Sequence, residues 1–286
     1  MHVSYESKFI EVNGVRLHYL EWPSEKLPLL IIHGNGHSGG VFAPLAERLA
    51  GEFRVFTLDL RGHGLSDRPG VYTWASFRHD VTSFMDRLDL QNLLFVAHSR
   101  GGGLALLAAA ERPERVRGVV AYEPTMPQTA SLRSRLPELV ERTLNRRSSF
   151  ASRAEMYNHF RNRGAFKDWQ DEFVRAYVQH GAIETEDGRV ELANPPEVEA
   201  LMAETMLDGT EWARIDACHV PVLAVYGERN ARLREGDDPV ATLRGYFPNT
   251  TMRIQSDSTH SGIMEHPDIF AASVRRFAAE LYDTQH

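Results

Sequence analysis

The sequence contains a single cysteine, Cys218. One thiol closes no internal disulfide, so a disulfide-stapled scaffold is excluded, and the usage fits a reducing compartment. With no Cys/His cluster near it, Cys218 reads as a small buried apolar residue ahead of a strand. Basic charge is also in short supply: 32 Lys and Arg stand against 39 Asp and Glu, a formal net charge of -7. Such a chain lacks the basic stripe of a nucleic-acid binder. Long apolar runs are missing as well. No segment reaches the length that crosses a bilayer, and "MHVSYESKFIEVNG" lacks the basic-then-apolar signature of a secretory signal. The expectation is a soluble, cytoplasmic protein with neither nucleic acid nor membrane as a partner; composition sets no oligomeric state.

What is present is enough for one substantial core: 286 residues, 42% of them hydrophobic, with room for an insertion. "FIEVNGVRLHYLEW" reads as a hairpin turning at Asn13-Gly14. "LPLLIIHG", "FRVFTLDL", "NLLFVAHS" and "VRGVVAYEP" are apolar runs without polar alternation, the pattern of strands buried on both faces of a parallel sheet. Helical patterns over 41–50, 76–88, 102–111 and 267–282 separate them, and "VPVLAVYG" and "TMRIQSD" supply two more strands. The fold class is therefore α/β, a mostly parallel sheet with helices on both faces. Between Pro127 and about Ile215 the strand signals stop and charged helical sequence takes over, too long for a structureless connection. We expect a core formed by 1–126 and 216–286 and an inserted helical cap at 127–215. Within it, residues 131–163 hold eight Arg against Glu138, Glu141 and Glu155, whereas 168–211 hold twelve acids against Arg175 and Arg189. That split reads either as helix faces attracting each other across the insert or as an Arg-lined entrance for an anionic substrate.

"VAHSRGG" follows one buried strand and precedes the small-residue helix "GLALLAAAER". A serine on so sharp a turn needs small neighbours, and Ala97, Gly101 and Gly102 supply them around Ser99. The stretch resembles the G-x-S-x-G nucleophile elbow of the α/β-hydrolase family, with Ala97 in place of the first glycine. The resemblance implies that Ser99 is the nucleophile. The helix start and the backbone N–H of Arg100 would then serve a developing oxyanion. "HGNGHSGG" is similar to the family's oxyanion loop and implies the backbone N–H of Asn35 as second donor. In "SDSTHSGIMEHP", His260 takes the position of the family's general base, and His266 fits the start of the last helix. "DLRGHGLSDRP" is similar to an architectural turn, so His63 receives no role, and His98 is expected to pack beneath the elbow. The insert resembles the cap of a subset of the family without implying a substrate.

An imidazolium needs a carboxylate, and the family most often supplies it as the Asp of a G-x-x-D turn; here that turn is Gly227-Glu228-Arg229-Asn230. Asn230 reads as a vestige of that position. Candidates for the acid are Glu123, at the end of "VRGVVAYEP", and the loop acids Glu228, Asp237 and Asp238. Glu123 is preferred, because it ends a buried parallel strand on the sheet edge that carries the elbow. The expected activity is hydrolysis of a small-molecule carboxylic ester or lactone through an acyl-enzyme, with a Ser99–His260–Glu123 triad and no cofactor or metal. Phe150, Phe160, Phe166, Trp169, Tyr177 and Trp212 are candidates for an apolar acyl or ring pocket under the cap. Cofactor-free oxygenation by the same dyad and ligand binding by a hydrolase-like receptor are the alternatives. Dehalogenation and epoxide opening fit less well, because relatives with those activities place a carboxylate where Ser99 stands.

Overall fold

The computed structural model describes residues 4–126, 130–230 and 238–283. It opens with the hairpin β1 (Glu6–Val12) and β2 (Val15–Trp22), turned through Asn13 and Gly14 at positive φ (52° and 71°). Two positive-φ residues make the turn whose twist matches its strands. β3 (Pro28–Ile32), α1 (Ala43–Leu49), β4 (Arg54–Leu58), α2 (Trp74–Arg87), β5 (Leu93–His98), α3 (Arg100–Glu111) and β6 (Val116–Tyr122) then alternate. α2 begins two residues ahead of its predicted start, because Thr73 and Ser76 form a reciprocal capping box.

The stretch that follows comprises α4 (Ala130–Leu144), β7 (Ser149–Phe150), α5 (Arg153–Phe160), α6 (Asp171–His180), β8 (Ala182–Glu184), β9 (Val190–Leu192) and α7 (Pro196–Glu204). Sequence patterning assigned this stretch to helices alone. The structure adds an antiparallel sheet in the order β7-β9-β8. Strands of two or three residues are too short to show a period of two. β10 (Val222–Gly227), the helix Pro239–Tyr246, β11 (Thr250–Gln255) and the closing helix Pro267–Asp283 complete the chain.

The main sheet has the order β1-β2-β4-β3-β5-β6-β10-β11. β1 and β2 are its antiparallel edge, and the other six strands run parallel. Burial on both faces follows from the alternation of side chains along each strand. Leu30 and Ile32 of β3 pack with α2 and α3, whereas Leu29 and Ile31 join α1 and the closing helix on the other face. The second cluster continues into the inserted segment through Phe150, Phe160, Phe173 and Tyr177. One sheet face and the insert thus share a core. Among the described residues no helix is long and apolar enough to cross a membrane.

Candidate active site

β5 is buried to its last residue, His98, and the chain turns into α3 through Ser99 alone, at φ 53° and ψ -121°. A non-glycine residue in such a conformation costs roughly 1–3 kcal/mol and persists only where its surroundings fix it. Here the N–H of Ser99 donates to the Tyr122 carbonyl (2.9 Å), and its carbonyl accepts from the N–H of Thr125 (2.9 Å). The glycines make room for the turn. A Cβ on Gly101 would stand 2.4 Å from the Ile32 carbonyl oxygen, and one on Gly102 would stand 2.9 Å from Pro124 Cβ. Because the Gly101 obstacle is backbone, Gly101→Ala must shift α3. We expect a stability loss of about 1–3 kcal/mol by denaturant titration together with reduced activity; an unchanged midpoint would show that the helix approach is not tight.

His260 lies in the loop between β11 and the short helix Gly262–Glu265. Buried side chains hold that loop by its backbone. Tyr122 Oη donates to the Thr259 carbonyl (2.8 Å), His98 Nε2 to the His260 carbonyl (2.8 Å), and Gln255 Nε2 to the Gly262 carbonyl (2.8 Å). The Glu265 carboxylate accepts from the Thr259 N–H (2.8 Å). His98 therefore does more than pack beneath the elbow: the residue before the serine anchors the histidine loop. Burial, and next the charge of His260, bring its ring down to about 3, so it stays neutral and donates from Nε2.

Glu123 ends β6 at φ 45° and is buried. Its Oε2 lies 2.6 Å from His260 Nδ1, and its Oε1 accepts the Gly227 N–H at 3.0 Å. Burial pushes this carboxyl up, but the His260 hydrogen bond and charge, the Gly227 N–H and the neighbouring Asn230 amide outweigh it and hold it below its ordinary value. Asn230 is thus no vestige. It is buried beside the carboxylate it was expected to have lost its role to, and its side chain helps to hold that carboxylate. The loop acids are placed elsewhere. Glu228 accepts from the Asp257 N–H (2.9 Å), and Asp238 caps the helix Pro239–Tyr246 through the N–H groups of Val240 and Ala241. Asp237 lies outside the described residues.

The imidazole is about half exposed (51%) and borders a cavity of about 560 Å³ that also takes in Asn35, His98, Ser99, Glu123 and Asn230. Ser99 Oγ lies 3.3 Å from Thr125 Oγ1, a buried hydroxyl that the sequence reading did not single out. Thr125 follows the Glu123-Pro124 turn, so only the pairing of β5 with β6 brings it to the serine. The loop after β3 also touches the elbow, since a Cβ on Gly34 would stand 3.0 Å from Ser99 Cβ. The N–H groups of Asn35 and Arg100 donate to no acceptor among the described residues, as befits a loop end and the first turn of a helix. His37 joins the wall as a neutral ring, its burial holding it well below the usual histidine range.

The aromatic pocket expected under the cap is not formed. Phe150, Phe160, Phe166, Trp169, Tyr177 and Trp212 are absent from the cavity wall. Five of them are packed in one cluster, with ring centroids 4.3 Å apart for Phe166 and Trp169 and 4.8 Å for Phe160 and Phe166. Helical spacing cannot say whether an aromatic stripe faces a cavity or a core. A larger groove, about 870 Å³, opens where β5, β6 and β10 begin, near Asn92, Val116 and Pro221, and contains none of the predicted site residues. Among the described residues no group of three or more His, Cys, Asp or Glu side chains is placed to hold a metal ion.

Comparison with known proteins bears on the family and the fold. Residues 28–267 match the family described as alpha/beta hydrolase fold. A haloalkane dehalogenase from Agrobacterium fabrum is 33% identical over 130 residues, 45% of this chain and 42% of that protein. A 2-(acetamidomethylene)succinate hydrolase from Mesorhizobium japonicum is 34% identical over 118 residues, 41% of this chain and 42% of that protein. The matched segment spans about two fifths of each of these curated relatives. The crystal structure of an E-2-(acetamidomethylene)succinate hydrolase superposes with a TM-score of 0.83 at 23% identity, covering 96% of this chain and 100% of that one. With the family matched over most of the chain, from residue 28 to residue 267, the chain belongs to the α/β-hydrolase fold family.

Proposed function

We propose that the protein is a serine hydrolase that cleaves a carboxylic ester or lactone through an acyl-enzyme, with Ser99 as nucleophile, His260 as general base and Glu123 as its acid. The observation that carries this reading is the 2.6 Å contact between Glu123 and His260 Nδ1 on the wall of the cavity that exposes Ser99. With Nδ1 committed to the carboxylate, Nε2 is the nitrogen left to take the Ser99 proton. As Oγ adds to the ester carbonyl, the carbonyl oxygen gains the charge that the N–H groups of Asn35 and Arg100 would receive. Collapse of the adduct expels the alcohol, or opens the lactone, with the proton held on Nε2. Water then repeats the sequence and releases the acid. Residues 127–215 act in this scheme as a cap over the cavity.

The family also contains proteins named as dehalogenases, and the identity of the nucleophile separates the chemistries. Displacement of halide by a serine alkoxide would leave an ether, which has no carbonyl for water to attack. A carboxylate nucleophile would leave an ester, which has one. Ser99 therefore suits acyl transfer. A fluorophosphonate probe is expected to add to Ser99 stoichiometrically, read as a mass shift on the peptide that contains it, and the labelled protein should have lost turnover on an ester and lactone panel. Absence of labelling, with substrate-dependent oxygen consumption instead, would replace this reading by cofactor-free oxygenation.

A further inference from the structure

The wall beside Ser99 is rich in arginine, although the chain is acidic overall at -7. Of the eight arginines within 131–163, four pair with acids: Arg146 with Glu199 (2.5 Å), Arg147 with Glu155 (2.6 Å), and Arg153 with Glu184 and Arg161 with Asp171 (each 3.4 Å). Arg135 and Arg142 border the cavity. They stand two turns apart on α4 and share with Leu139 the face that borders the cavity. Arg229 reaches the same cavity from the loop after β10, and Arg100 from the start of α3. Three carboxylates share the wall, but Glu123 is engaged by His260 and Glu199 by Arg146, which leaves Glu138 to set against these arginines.

Arg142 is exposed and makes no hydrogen bond or ion pair with a described residue. Arg229 is exposed too: one of its nitrogens donates to the Asp257 carbonyl (2.7 Å), and its 3.4 Å contact with the Asp257 carboxylate faces solvent. Exposed guanidinium groups add little to fold stability. On a cavity wall they form a receptor for a planar carboxylate, which a guanidinium binds through two parallel hydrogen bonds. Leu139, Ala203 and Met206 are the apolar side chains of this wall, too few to hold a long acyl chain.

We propose that the substrate of the Ser99 site is itself an anion, an ester or lactone bearing a separate free carboxylate, and that Arg142 receives this carboxylate with Arg229 as the second donor. The reacting bond rests on the serine-hydrolase reading above; the anion site does not. The test compares p-nitrophenyl hydrogen glutarate with the neutral p-nitrophenyl valerate, and in parallel titrates glutarate into the Ser99→Ala protein by calorimetry. The wild-type protein is expected to favour the anionic ester by about tenfold in kcat/KM, with the preference shrinking between about 20 and about 200 mM salt. Arg142→Gln, a surface substitution, should bring that ratio close to one and weaken glutarate binding by about tenfold. Hydrolysis of both esters without a charge preference, and no glutarate binding, would overturn the anion site and leave the hydrolase intact. Arg142-dependent glutarate binding without turnover of either ester would support the anion site and remove the hydrolase reading.

Discussion

Ser99→Ala is expected to reduce hydrolysis of short p-nitrophenyl esters to the buffer rate, a loss on the order of 10⁴-fold or more, with the fold intact. The loss is this large because the acyl-enzyme has no other oxygen on which to form. Little should change structurally. The removed hydroxyl makes one 3.3 Å contact, to Thr125, while the backbone bonds that fix the elbow come from Tyr122, Thr125 and Gly103 and survive the substitution. Kinetics combined with thermal unfolding would decide the matter. A folded variant retaining most of its activity would remove Ser99 as nucleophile.

Glu123→Gln comes next in size, with kcat expected to fall by on the order of 10² to 10⁴-fold and substrate binding less affected. An amide at this position can present its N–H to His260 Nδ1, which favours the wrong tautomer, and it offers no charge to the imidazolium. The carboxylate is nearly inaccessible to water, so solvent cannot take over its role. Asn230→Ala removes an amide that favours the ionised form of the same carboxylate and should cost about tenfold or less. Glu228→Gln and Asp237→Asn serve as controls. Normal turnover by Glu123→Gln alongside failure of either control would move the acid to the loop after β10.

The strands were legible because a parallel strand buried on both faces must be continuously apolar, and "LPLLII" or "LLFVAH" admits few other readings. The elbow was legible for a related reason: glycine at 101 and 102 reports the close approach of Ile32 and Pro124. Other features depend on neighbours distant in sequence. Thr125 meets Ser99, and His98 meets the His260 carbonyl, only after β5, β6 and the histidine loop have assembled. Asn230 looked vacant because its neutral side chain was judged by what it could not do, whereas the structure sets it beside the carboxylate that does it. The direction in which the aromatic residues of the insert point is likewise a tertiary property.

Arg100 joins the elbow to the inserted segment. Its backbone N–H follows the serine directly, while its buried side chain donates to the Met202 carbonyl and to Thr205 Oγ1 (3.2 Å) and lies over the Trp74 and Phe77 rings at 5.1 and 5.4 Å. Burial brings the guanidinium down to about 9, so it remains a cation at neutral pH, with no carboxylate among its hydrogen-bond partners in the described residues. An inserted segment borrowed from another member of the family would have to arrive with a carbonyl and a hydroxyl in these places, or leave a stranded charge against the Ser99 turn. Exchanging the inserted segment would therefore disturb the Ser99 turn as well, unless residue 100 is exchanged with it.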